Sequence, residues 1–303
     1  MTSFTPRLLT PPREKEDIYP YRRVWRSIIL EGGILIAIAA GLFLTSGFIT
    51  DLIPVQFEPV LRIALALTPL VLWLIFSWWA EQRVMQPRAR LIAVAVIGAL
   101  AANAVGEPLI NQFFQVEDWL PLSSAIDRIV GYTFTVGITQ EFLKYLVVRY
   151  VAWPDHFRIR LDGVAYGVAV SIGYVTVLNL HLLVNTPVAL DVAAQRVVAT
   201  YAIQIATSVV IGYGLSEVRF SDPNPLFLAL MLALAALITG IAIPIRAGLT
   251  NAAFSLEGVF PRPLFGFGFS AVLLVIPIFV GSFLFASAER RAQEAMSDME
   301  DSI

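Results

Sequence analysis

Gly163-Val164-Ala165-Tyr166-Gly167-Val168-Ala169-Val170-Ser171-Ile172-Gly173-Tyr174-Val175-Thr176-Val177-Leu178-Asn179-Leu180-His181-Leu182-Leu183-Val184 runs without one Asp, Glu, Lys or Arg. About 20 mostly apolar residues are what an α-helix needs to cross the ~30 Å hydrocarbon core of a bilayer. The same window recurs at 28–49, 60–80, 91–110, 125–153, 193–218, 226–248 and 264–287, which makes eight predicted spans. Composition agrees, with 57% hydrophobic and only 15% charged residues. A soluble domain carries roughly 25% charge to keep its surface hydrated. The fold class is therefore all-α, a polytopic transmembrane helical bundle whose first partner is the lipid bilayer. A net charge of −2 leaves no basic excess for phosphates, so no nucleic-acid partner is expected. With no cysteine, disulfides, thiol nucleophiles and cysteine-held metals are excluded.

The connections are short and marked by turn residues, as in Thr50-Asp51-Leu52-Ile53-Pro54 and Ser221-Asp222-Pro223-Asn224-Pro225. Basic residues at span ends set orientation. They crowd the N-terminal tail (Arg7, Arg13, Lys15, Arg22, Arg23, Arg26) and alternate connections (Arg83, Arg88, Arg90; Arg149, Arg158, Arg160; Arg219). Both termini are thus expected in the cytoplasm of a plasma (inner) membrane protein. Residues 1–24 form a polar tail and 25–124 three N-terminal spans. Residues 125–255 hold the polar core helices, 256–288 the last span, and 289–303 an acidic tail that reads as a solvated helix end. The first span reads as an uncleaved anchor, because a secretory signal has its apolar run nearer the start. Pro244, Arg246 and Gly248 interrupt the pattern at 241–263, leaving a kinked helix extension or a short re-entrant element.

Ionisable groups inside a span cost several kcal/mol and face the bundle interior, so each is a functional candidate. The densest set is Gln140, Glu141 and Lys144 in the fourth span. Spacings of four and three put them on one helix face, with Lys144 in reach of both others. At 29 residues the span would be ~43 Å long, which carries Lys144 toward the inner interface, where it can snorkel. The plain reading is an ion pair between Glu141 and Lys144. Acid–base work would need a second titratable group in the same cavity. In the fifth span, Gly163, Gly167, Ser171 and Gly173 give the small-residue spacing of closely packed helices. Asn179 places an amide inside the membrane, and His181, about 200° round the helix, reads as an interfacial residue. The sixth span adds Arg196, near enough to its end to snorkel, and Gln204 at mid-depth.

Together these segments resemble the PrsW-type glutamic intramembrane proteases. Gln140-Glu141-Phe142-Leu143-Lys144 is similar to that family's Glu-Glu-x-x-Lys helix. Asp162-Gly163-Val164-Ala165-Tyr166-Gly167, continuing to Asn179, is similar to its Asp-Gly-x-x-Tyr-Gly helix, which ends Gly-Phe-x-x-x-Glu-Asn. Arg196, Gln204 and Gly212 keep both eight-residue intervals of its Arg, His and Gly helix. A fourth, weaker match is Ala247 through Asn251 to a His-x-x-x-Asn segment. The resemblance covers roughly 136–220 and implies a membrane peptidase fold in which Glu141 and Lys144 are the catalytic candidates.

Four positions depart from the pattern. The first Glu is Gln140, the Glu before Asn179 is Leu178, and the two histidines fall on Gln204 and Ala247. Peptide hydrolysis needs an activated water, a proton donor and oxyanion stabilisation. Only Glu141 can accept a proton in this set, and catalytic zinc wants three protein ligands. No metal and no cofactor are expected. Gln140, Asn179, Gln204 and Arg196 remain as a candidate polar site. The leading expectation is a non-catalytic family member, a pseudoprotease that binds or regulates transmembrane segments of other membrane proteins. The alternatives are an active endopeptidase using Glu141 and a small-solute transporter or channel lined by Glu141 and Lys144. If Glu141, Asn179 and Gln204 share one cavity, they form a site; if not, each only glues helices.

Overall fold

The computed structural model describes residues 24–52, 54–84, 86–186, 188–221, 223–251 and 262–300. The tail 1–23 and the stretch 252–261, where a re-entrant element was expected, lie outside them, as do the side chains of Ala247 and Asn251. Eight helical rods run through the described residues: α1 (Val24–Leu52), α2 (Glu58–Glu81), α3 (Leu91–Leu122), α4 (125–151), α5 (Arg160–Asn185), α6 (Leu190–Phe220), α7 (Phe227–Asn251) and α8 (Arg262–Glu300). No strand occurs among the described residues. Seven rods are long and apolar enough to cross a membrane. The exception is α4, whose Asp127, Arg128, Glu141, Lys144 and Arg149 dilute its apolar run. It is nonetheless a rod of the bundle, packed against α3, α5, α6 and α7. Helix α7 continues past Pro244 to Asn251, so the expected kinked extension is helical to that point. The C-terminal tail continues α8 as far as Glu300.

Helix α6 is the centre of the bundle. Its most apolar stretch is 89% buried, against 28% for α1 and 22% for α8. The outer helices turn large apolar side chains outward, among them Leu44, Leu230, Val275 and Phe279, as a lipid-facing surface requires.

The small residues of α5 meet small residues of α6 at the same four-residue spacing. Gly163 packs on Gly212, Gly167 on Ser208, and the Ser171 hydroxyl donates to the Gln204 carbonyl at 3.0 Å. A Cβ at Gly167 would stand 2.7 Å from the Ser208 carbonyl oxygen, too close for any side chain. This seam fixes the register of Gln204 against α5. A second close approach, Gly137 of α4 on the Ala236 backbone of α7, sets Thr239 beside the polar turn of α4.

The arginine-rich connections converge at one end of the bundle. Arg88 joins Glu81 (2.8 Å) to Asp162 (2.7 Å), and the other Asp162 oxygen accepts the Arg158 and Ile159 amides at 2.7 and 3.0 Å. Asp162 therefore caps α5 and clamps the connection between α2 and α3 in one stroke. The Tyr166 hydroxyl donates to the Ala89 carbonyl at 2.8 Å, and Arg160 meets Glu217 at 3.3 Å. The Asp-Gly-x-x-Tyr-Gly stretch thus organises this end rather than the polar node.

Candidate functional site

Halfway through the bundle, α4, α6 and α7 share one hydrogen-bonded node. Lys144 Nζ lies 2.8 Å from Glu141 Oε2 and donates to Gln204 Oε1 (2.8 Å) and Thr207 Oγ1 (2.9 Å). The Thr207 hydroxyl hydrogen points back along α6, at the Ile203 and Gln204 carbonyls, so its oxygen is free to accept. The ammonium thus donates two hydrogen bonds to neutral oxygens and stands in charge contact with one carboxylate oxygen. Thr239 Oγ1 donates to Glu141 Oε1 at 3.0 Å, and Gln204 Nε2 donates to Gln140 Oε1 at 2.7 Å. Lys144 is fully buried. It does not snorkel as expected; it is turned into the bundle, where charge pairing and hydrogen bonds offset desolvation.

A π-helical turn, Thr133–Gly137, immediately precedes this cluster. The extra residue in that turn rotates the following face of α4 relative to a uniform helix. Gln140, Glu141 and Lys144 consequently point at α6 and α7.

Above the node opens a cavity of about 350 Å³. Gln140, Gln204, Thr239 and Leu178 form its floor. Glu107, Glu117, His181 and Arg246 stand higher on its walls. Its residues come from the C-terminal parts of α3, α5 and α7 and the N-terminal halves of α4 and α6. The cavity therefore occupies the end opposite the arginine-rich connections. Glu141 and Lys144 do not line it; they are sealed behind the two glutamines.

The expected polar set is thus divided. Glu141, Lys144, Gln140 and Gln204 come together. Asn179 does not: it is fully buried, and neither atom of its amide has a hydrogen-bond partner among the described residues. It shares a helix face with Val175 and Leu183, and Leu183 packs on Ala66, Ala193 and Val197, away from the cavity. Arg196 is half-buried and is not a wall residue. His181, expected as an interfacial residue, lines the cavity, with Nε2 3.0 Å from Asn103 Oδ1 and Nδ1 3.8 Å from Glu107 Oε2. Sequence reasoning passed over Glu107, Thr207 and Thr239. It also passed over Glu31, buried in α1, which accepts from Ser77 (2.5 Å) and Tyr201 (3.4 Å). A single carboxylate near a span end, or a threonine anywhere in one, carries no periodic signal that distinguishes an inward face.

The chain matches the family described as "PrsW family intramembrane metalloprotease" over residues 86–281. It is 24% identical over 162 residues to "Protease PrsW" of Clostridioides difficile (strain 630), covering 52% of this chain and 65% of that one. It is 30% identical over 86 residues to "Protease PrsW" of Bacillus subtilis (strain 168), covering 28% of this chain and 38% of that one. The match thus spans less than two thirds of either relative's length. No solved structure matches.

The family description implies a metal, and the donor set does not fit one. Among the described residues no three His, Cys, Asp or Glu side chains cluster. At the node the one carboxylate already pairs with an ammonium, which would repel a second cation. Gln140 and Gln204 are committed to each other and to Lys144.

Proposed function

Because the chain belongs to the PrsW family of intramembrane proteases, we propose that it is a non-catalytic member that holds transmembrane segments of other membrane proteins in the cavity above Gln140 and Gln204. The observation that carries this reading is the cavity floor. Beside Leu178, its polar groups are two amides and a hydroxyl, which hydrogen-bond a polypeptide but cannot exchange protons with it at neutral pH. The candidate base, Glu141, sits behind them with one oxygen paired to Lys144 and the other bonded to Thr239. A general base has to come within hydrogen-bond reach of the water it activates. Glu141 meets that condition only if the node opens.

The arginine-rich end faces the cytoplasm in this reading, with both termini there and the cavity opening toward the opposite face of the plasma membrane. A photoreactive amino acid at Ile243, in the cavity wall, is expected to capture a polypeptide partner in native membranes, and Gln204→Leu to weaken the capture. The same group at Val275, on the lipid-facing side of α8, is expected to capture none of it. Equal capture at both positions, or at neither, would count against the proposal.

One observation favours a second reading. Glu107 and His181 supply the cavity with titratable groups that the glutamines lack, 3.8 Å apart. An active endopeptidase would then depend on these two as well as on Glu141. Loss of peptide cleavage in Glu107→Gln would identify it.

A further inference from the structure

The hydrogen-bond accounting of the node fixes the polarity of the cavity floor. Asn and Gln amides can be placed in either of two orientations, so the direction has to come from a partner with one role. Lys144 is that partner. Its ammonium only donates, so the Gln204 atom 2.8 Å away must be the carbonyl oxygen. Gln204 then turns its NH2 away from Lys144, and the Gln140 atom it meets at 2.7 Å must be an acceptor, the Gln140 oxygen. That leaves the Gln140 NH2. Gln140 is only 5% exposed, lines the cavity, and has no donated hydrogen bond among the described residues.

We infer that the relay from Lys144 through Gln204 to Gln140 presents a fixed N–H donor at the cavity floor, built to donate to a backbone carbonyl oxygen of bound polypeptide. The identity of the ligand rests on the function proposed above; the polarity of the floor does not. The cavity of about 350 Å³ takes a short stretch of polypeptide rather than a whole ~30 Å transmembrane helix. A backbone carbonyl has two lone pairs, so even one inside a helix can accept from Gln140, as the Gln204 carbonyl accepts from Ser171. Two wall carboxylates, Glu107 and Glu117, outnumber the one wall guanidinium, Arg246, so the walls favour a peptide over a free carboxylate, the other acceptor a membrane offers. A peptide unit also brings N–H groups that suit the Glu107 and Glu117 carboxylates. A fatty carboxylate brings only negative charge against them.

The test uses the full chain in lipid vesicles with two probes. One is a synthetic 20-residue leucine-alanine transmembrane peptide carrying a ¹³C=¹⁸O label at successive backbone carbonyls. The other is ¹³C-carboxyl octanoate. Infrared difference spectra report hydrogen bonding at the label, and fluorescence transfer reports association. The wild type is expected to lower the stretching frequency of one peptide label. Gln140→Glu, which replaces the donor with an acceptor of equal size, is expected to abolish that shift and weaken association about tenfold. Lys144→Met, which unpins the relay, is expected to broaden or lose the same shift. Gln140→Asn keeps the donor group and tests whether a shorter amide rescues any of it. A shift seen only with octanoate and lost in Gln140→Glu supports the donor relay but overturns the polypeptide as its ligand. A peptide shift that survives in Gln140→Glu, or no shift with either probe, overturns the relay itself.

Discussion

Lys144→Met removes the one ammonium that holds Glu141, Gln204 and Thr207 together, and it tests whether the node is a closed ion-paired unit. Breaking a buried pair by removing one partner typically costs 3–5 kcal/mol, because the remaining charge is left uncompensated. Here the substitution also strands Gln204 Oε1, which sits 2.8 Å from the ammonium, and an orphaned buried acceptor adds about 1–3 kcal/mol. The single variant should therefore lose roughly 4–8 kcal/mol. Adding Glu141→Gln removes the stranded charge and should recover about 2–3 kcal/mol of that loss, leaving the cost of the unmatched amide. The assay is reversible unfolding by SDS in mixed micelles, followed by far-UV circular dichroism for all four corners of the cycle. A single-variant loss under about 1 kcal/mol would refute the reasoning. So would a double variant whose loss equals the sum of the singles, since groups that do not couple add.

Three further substitutions probe the frame around the node. Gly167→Ala forces a methyl to within 2.7 Å of the Ser208 carbonyl and should destabilise by about 1–3 kcal/mol, while Gly266→Ala, with nothing within 4 Å, should be neutral or slightly stabilising in the same assay. Asp162→Asn replaces the anion that meets Arg88 at 2.7 Å and caps α5; we expect a loss of about 3–5 kcal/mol and faster trypsin cleavage at Arg83 or Arg90. Asn179→Leu deletes an amide with no partner among the described residues, so it should stabilise by about 1–2 kcal/mol and leave peptide association unchanged. A loss of association in that variant would place Asn179 in the site after all.

The spans were legible because twenty apolar residues in a row have few alternatives. Predicted ends fell within a few residues of the helices for α2, α4, α5, α6 and α7. The α5 small-residue spacing was legible for the same kind of reason: a four-residue period lies on one face, and that face found its counterpart in Gln204, Ser208 and Gly212 of α6. The direction of individual polar side chains was not legible. Gln140, Glu141 and Lys144 share one face in the helical spacing and meet at the node, yet a helical wheel does not tell that Lys144 reaches α6 rather than the interface. The π-helical turn at Thr133–Gly137 and the Gly137–Ala236 approach decide that, and neither is encoded in local periodicity. Asn179 shows the converse. Asn179 lies inside its span as Glu141 and Gln204 lie inside theirs, but depth is one coordinate and the face is another, and Asn179 lies on a different face. His181 shares a face with Leu178, three residues before it, and not with Asn179, so it reaches the cavity that Leu178 also lines.

The central claim is that the cavity holds polypeptide above a sealed node and does not cut it. The most direct measurement is mass spectrometry of transmembrane peptides incubated with the purified protein in vesicles, wild type beside Glu141→Gln. The account predicts that peptide associates with both proteins and that neither yields fragments above the protein-free control. Fragments made by the wild type and absent with Glu141→Gln would contradict it.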